Sequence, residues 1–105
     1  MTCINTLFML FGVIKSFADK LTAAVFLGLP AKRFPGELRR RAKDKLDALD
    51  AATRIDDLRL PPSSRLQALK HDRKGQWSVR INDQWRVCFR FEGGNAFDVE
   101  ITDYH

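Results

Sequence analysis

An α+β fold is what this chain predicts: two N-terminal helices packed on one face of a small, largely antiparallel sheet. Three observations predict it. Apolar residues recur at helical steps of three and four as far as Ala52, and at steps of two from Arg65 onward. Clusters of Gly, Asn, Asp and Pro cut the second half into short segments. A helical half followed by a meander of strands places the helices together on one side of the sheet. At 105 residues the chain has room for one domain.

Val13 to Phe17 reads as a short first strand that gives way to a helix. Ser16 and Asp19 have capping-box spacing, with Asp in place of the usual Glu, and Asp19 suits the positive end of a helix dipole. Leu21, Ala24, Val25 and Phe26 follow at helical intervals, and Gly28, Pro30, Pro35 and Gly36 break the chain into a loop. The second helix runs from Glu37 to Ala51, with Leu38, Ala42, Leu46 and Leu49 on one face. Thr53 to Ser64 is a connector in which Ile55 and Leu58 anchor a short turn and Pro61 and Pro62 stop any helix.

Leu66 to Lys70 reads as a strand and His71 to Gly75 as a turn. Trp77, Val79 and Ile81 alternate with Ser78, Arg80 and Asn82, the pattern of a half-buried strand. After the turn at Asn82 to Gln84, the inward positions Trp85, Val87, Phe89 and Phe91 alternate with Arg86, Cys88 and Arg90. Glu92 to Asn95 turns again, and Phe97, Val99 and Ile101 mark a last strand. Both tryptophans share the parity of core positions. Asp103 falls in line with Ile101, so either the last strand ends before it or its carboxylate emerges at the edge of the core, with Tyr104 on the opposite side.

The net charge is +5, and its distribution is uneven. Between Lys32 and Lys45, seven cations stand against Glu37 and Asp44, so this segment carries the whole excess. A helix so charged is a solvated face or a grip for a polyanion. The apolar start, Met1 to Val13, has no basic n-region or small-residue cleavage site, and Leu7 to Phe11 is too short to span a bilayer. The cysteines, Cys3 and Cys88, lie far apart and form no metal-ligand spacing, which reads as two reduced thiols.

Phosphate-loop, nucleophile-elbow, zinc-protease and CxxC motifs are all missing. With His71 and His105 the only histidines, no His-rich metal site can be built. What remains is a set of polar side chains within the strand half: Lys70, His71, Arg73, Arg86, Asp103, Tyr104 and His105. Cleaving RNA without a metal takes a base for the ribose 2′-OH, an acid for the departing 5′ oxygen and a cation for the phosphorane charge. His and Asp suit the proton steps, Arg and Lys the charge, and Tyr can stack on a nucleotide. Each residue also has a plain reading, as a solvated charge or part of a polar tail.

The segment RLQALKHDRKGQWSVRINDQWRVCFRF, followed by VEITDYH, closely resembles the HigB toxins of the RelE/ParE superfamily. Ile14 to Phe17 is similar to their first strand, and LDALDAAT followed by DLRLPPSSRL to their middle. The resemblance covers residues 13–105 as a single RelE-like domain. It implies a toxin of a type II toxin–antitoxin system, a metal-independent, ribosome-dependent mRNA endonuclease acting in the cytoplasm without cofactor or membrane. Its implied partners are a HigA-type helix-turn-helix antitoxin, mRNA in the ribosomal A site and ribosomal RNA. Operator DNA enters only through the antitoxin complex.

By the same resemblance, Lys70 stands where the family has a basic phosphate contact and Arg86 where a W-R pair stabilises the phosphorane. Asp103, Tyr104 and His105 match the terminal D-Y-H, with roles in proton transfer and substrate orientation. His71 and Arg73 are auxiliary candidates. Lys32, Arg33, Arg39, Arg40 and Lys43 are the expected grip on ribosomal RNA. Some members carry a further His near Leu66; Gln67 occupies that neighbourhood here, and Gln exchanges no proton near neutral pH. Family members begin close to Ile14, so residues 1–12 read as a non-native or disordered extension. Two rival readings share the charge and fold: a ParE-like inhibitor of DNA gyrase, and an RNA-binding module that cuts nothing.

Overall fold

The computed structural model describes residues 12–30 and 34–103. The first helix, α1, spans Lys20–Leu27. It is opened by Asp19, whose carboxylate accepts the Thr22 N–H at 2.8 Å, and closed by Gly28 in the left-handed conformation that glycine takes without strain. The expected capping box at Ser16 does not form. The chain is still extended there, and the Ser16 hydroxyl accepts the Asp98 N–H at 2.8 Å. Helix α2 spans Gly36–Ala51 and buries Ala42, Leu46 and Leu49, one stripe at helical spacing.

After α2 the connector makes two 3₁₀ turns, Ile55–Arg59 and Pro62–Ser64. Leu58 is buried and Ile55 packs against the core, the anchoring role expected of this pair. The Asp57 carboxylate ties the first turn by accepting from the Thr53 and Arg54 amides, at 2.9 and 3.1 Å. Those bonds favour the charged form and hold this carboxyl below its ordinary range.

Four strands follow: β1 Gln67–Ala68, β2 Gln76–Arg80, β3 Trp85–Glu92 and β4 Asn95–Asp103. They lie in the order β1-β2-β3-β4, each antiparallel to the next. Strand β1 is shorter than the expected Leu66 to Lys70. The chain turns into a 3₁₀ turn at His71–Arg73, with His71 at φ 57°, although Leu69 still donates its N–H to the Gln76 carbonyl at 2.8 Å.

The expected first strand at Val13 to Phe17 lies parallel to β4 as two separate bridges, Ile14 to Ala96 and Phe17 to Val99. A bulge separates them. The β3–β4 register shifts between Cys88 and Arg90, and Asp98 sits there at φ 54°. Asp tolerates this left-handed region better than most residues. Ser16 satisfies the backbone N–H of Asp98, and Arg90 donates to its carboxylate at 3.0 Å.

Helices and sheet meet around Ile14, Val25, Leu46, Leu49, Val87, Phe89 and Val99, all without solvent exposure. Trp77 and Trp85 pack against this core, and Trp85 meets the Phe34 ring edge-on with centroids 5.0 Å apart. One buried polar bond crosses the layers, from the Ile101 N–H to the Thr22 hydroxyl at 2.9 Å.

The edge segment is held from the other side by Asp50, near the end of α2. Its carbonyl accepts the Val13 N–H at 3.0 Å and its carboxylate the Ile14 N–H at 2.9 Å. Gly12 lies so close to the same carboxylate that a Cβ there would collide with it. Asp50→Ala leaves the Ile14 amide unpaired and is expected to cost about 1–3 kcal/mol of stability. Asp50→Asn keeps an acceptor oxygen and should lose less. Urea unfolding of the two variants checks the order.

Candidate active site

Alternation assigns the side chains of the sheet to two faces. On β3, Val87 and Phe89 turn toward the helices, while Arg86 and Cys88 turn away. The register then lines up Gln67, Ser78, Cys88 and Glu100 across the four strands, with Arg80, Arg86 and Thr102 in the next row. This polar face lies away from α1 and α2.

Its middle is not solvated. Ser78 and Cys88 have no exposed surface, and Arg86 retains only 9 %. The expectation that Ser78 alternates toward water is corrected, because the segment before β1 comes over this part of the face. The Arg86 Nε–H donates to the Ser78 Oγ at 2.8 Å, and Nη2 donates to the Arg65 carbonyl at 2.9 Å. Arg65 presents that carbonyl from a left-handed conformation, φ 46°. A desolvated guanidinium needs such acceptors, since burying the charge without them is costly.

Beside it, Arg73 reaches across the face. Its Nη1 donates to the Gln76 side-chain carbonyl at 3.0 Å, and its Nη2 pairs with Glu100 at 3.2 Å. Both ion-pair partners act on Cys88. Burial pushes the Cys88 thiol up, and this outweighs the nearby Arg73 cation that favours the thiolate. Cys88 is therefore an inert, free thiol.

Of the residues singled out in the sequence, Arg86 and Arg73 share the polar face. Lys70 and His71 are exposed where β1 runs into its 3₁₀ turn. Asp103 ends β4 opposite Trp85, on the parity of the helix-facing residues, and is exposed instead of lying at the edge of the core. Gln84 Nε2 donates to its carboxylate at 3.2 Å. Tyr104, His105, Lys32 and Arg33 lie outside the described residues, as do Cys3 and residues 1–11 of the expected extension.

Arg39, Arg40 and Lys43 line an open groove of about 700 Å³ between α1 and the start of α2, together with Asp44 and Asp47. Lys43 pairs with Asp47 at 3.0 Å and lies over the Phe26 ring. Because the helices cover the other face, this groove and Arg86 are on opposite sides of the sheet. Among the described residues no group of His, Cys, Asp and Glu is arranged to hold a metal ion. No helix among them is long and apolar enough to cross a membrane.

The profile of a family described as "RelE-like toxin of type II toxin-antitoxin system HigB" matches residues 15–105. The chain belongs to this family of HigB-like toxins. It is similar to a Proteus vulgaris protein named "Endoribonuclease HigB", 36 % identical over 93 residues that span 89 % of this chain and 100 % of that protein. It is also similar to "Toxin HigB-1" of Vibrio cholerae, 38 % identical over 60 residues, 57 % of this chain and 63 % of that protein. An uncharacterized Haemophilus influenzae protein is 33 % identical over 72 residues, 69 % of this chain and 71 % of its own. Membership makes the chain a type II toxin and implies an antitoxin partner.

Ser78, Gln76, Glu100 and the Arg65 carbonyl of this HigB-like toxin hold the site together although none of them belongs to a motif. The signal available for Ser78 was a lone hydroxyl between Trp77 and Val79, at the parity of Arg86 on the neighbouring strand. In a Cys3→Ser background, Cys88 in the native protein should react with a thiol reagent at pH 8 at least about 100-fold more slowly than in the unfolded chain. Absorbance of the released thiolate follows the rate.

Proposed function

We propose that this HigB-like toxin is a ribosome-dependent endoribonuclease that cuts mRNA in the A site, with the ribose 2′-OH as nucleophile and no metal in the reaction. The observation that carries this reading is the buried Arg86 guanidinium on the polar face, held at Nε and Nη2 by the Ser78 hydroxyl and the Arg65 carbonyl. A fixed cation of this kind is what a developing phosphorane needs, since a preorganised charge stabilises a transition state without reorganising. The likeness over the full length of a relative named as an endoribonuclease supports it.

In this scheme Lys70, exposed at the end of the same strand segment, contacts a flanking phosphate. Asp103, Tyr104 and His105 move protons and orient the nucleotide, and His71 and Arg73 assist. The pairing of Arg73 with Glu100 suits a role in shaping the floor of the site. Arg39, Arg40 and Lys43 hold ribosomal RNA from the other side of the sheet, so the toxin is gripped on one side while mRNA meets the other, and Lys32 and Arg33 add their charge to that grip. A HigA-type helix-turn-helix antitoxin restrains it in the cytoplasm and brings operator DNA to the complex.

Attack by a 2′-OH breaks the P–O5′ bond and leaves a 2′,3′-cyclic phosphate and a 5′-OH. Primer extension and end analysis of transcripts on programmed ribosomes should find those termini, and Arg86→Ala should lower the cleavage rate about 100- to 1,000-fold. Uncut transcripts together with gyrase-dependent DNA damage would instead indicate the ParE-like activity. Binding without new 5′ ends would leave a non-catalytic RNA-binding module. Charge reversal at Arg39, Arg40 and Lys43 should weaken ribosome binding and flatten its salt dependence, measured by co-sedimentation across a salt series.

A further inference from the structure

We propose that Ser78 is the positioning residue for Arg86: its hydroxyl sets the plane and direction of the guanidinium that meets the scissile phosphate. This rests on the endoribonuclease reading. Ser78 lies in the middle of β2 with no exposed surface, a place where a hydroxyl is costly unless it is bonded. Its Oγ accepts the Arg86 Nε–H at 2.8 Å. Nε and Nη2 form one edge of the planar guanidinium, and that edge is held at two points, by Ser78 and by the Arg65 carbonyl. Two acceptors on one edge fix rotation about the last side-chain bonds, freedom that a solvated arginine keeps.

The direction of the hold also matters. Ser78 pairs across the ladder with Cys88, whereas Arg86 pairs with Arg80, so the Arg86–Ser78 bond is a diagonal one. It draws the guanidinium from β3 toward β1, where Gln67 pairs with Ser78 and Lys70 follows. Both of these anchors are neutral. A carboxylate in either place would fix the geometry but offset the charge, whereas a hydroxyl and a peptide carbonyl orient the cation without neutralising it.

A merely structural serine and a positioning serine differ in how Ser78→Ala combines with changes at Arg86. Single-turnover cleavage of a transcript on programmed ribosomes gives the rate, and its dependence on toxin concentration gives the apparent affinity. Ser78→Ala is expected to lower the maximal rate about 10- to 100-fold, the scale of a small misplacement of a catalytic group. Affinity should stay within about twofold. Ser78→Cys, which keeps the volume but accepts weakly, should fall between Ala and Ser.

In an Arg86→Lys background there is no Nε–H to hold, and Ser78→Ala should change the residual rate by less than about twofold. Circular dichroism and urea midpoints establish that each variant is folded. The proposal is overturned if the wild type cleaves and folded Ser78→Ala cleaves as fast. Equal losses in both Arg86 backgrounds overturn it too, as does unfolding of both Ser78 variants, since each outcome makes the serine structural. A wild type that leaves the transcript intact defeats the endoribonuclease reading itself, a result distinct from the others.

Discussion

Strand β3 is buried on both of its faces, and much of the molecule is arranged around that constraint. Val87 and Phe89 meet the helices, and Arg86 and Cys88 face the other way, all at or below 9 % exposure. The first pair costs nothing to bury. The second does, and the charged member has been given partners, Ser78 and the Arg65 carbonyl for Arg86. A slip of one residue would drive the arginine into the apolar core and turn Phe89 out, so the register is strongly determined.

The same constraint explains the irregular surroundings of the sheet. The left-handed Arg65 and the 3₁₀ turns on either side of β1 bring an irregular segment over β2 and β3, with its carbonyl aimed at a guanidinium. On the opposite edge, the Asp98 bulge shifts the β3–β4 register, and Ser16 and Arg90 satisfy the residue that shifts. Asp50 then ties the edge segment back to α2. At Arg65 and Asp98 the departure from regular geometry coincides with a polar partner that uses it.

Charge is divided between the two sides of the sheet in different forms. On the helix side, Arg39, Arg40 and Lys43 line an open groove with water around them, suited to a long-range, salt-sensitive attraction. On the polar face Arg86 is desolvated and fixed, which suits a short-range role where direction matters more than range. A family whose members are type II toxins has use for both.

The amino-acid sequence by itself determined the class of fold, the two helices, the strands from Trp77 onward and the family. Each rests on a local signal: apolar spacing, turn residues, or the order of motifs such as Trp85-Arg86. It also singled out Arg86 and Arg73. Only the tertiary structure decided that Ser78 is buried, that Arg73 pairs with Glu100, that Ser16 serves Asp98 rather than α1, and that Asp103 is exposed at the end of β4. Those facts depend on hairpin register, on one bulge and on a segment folded over the sheet. All are long-range pairings, and alternation along a single strand reports which residues share a face without reporting what covers that face.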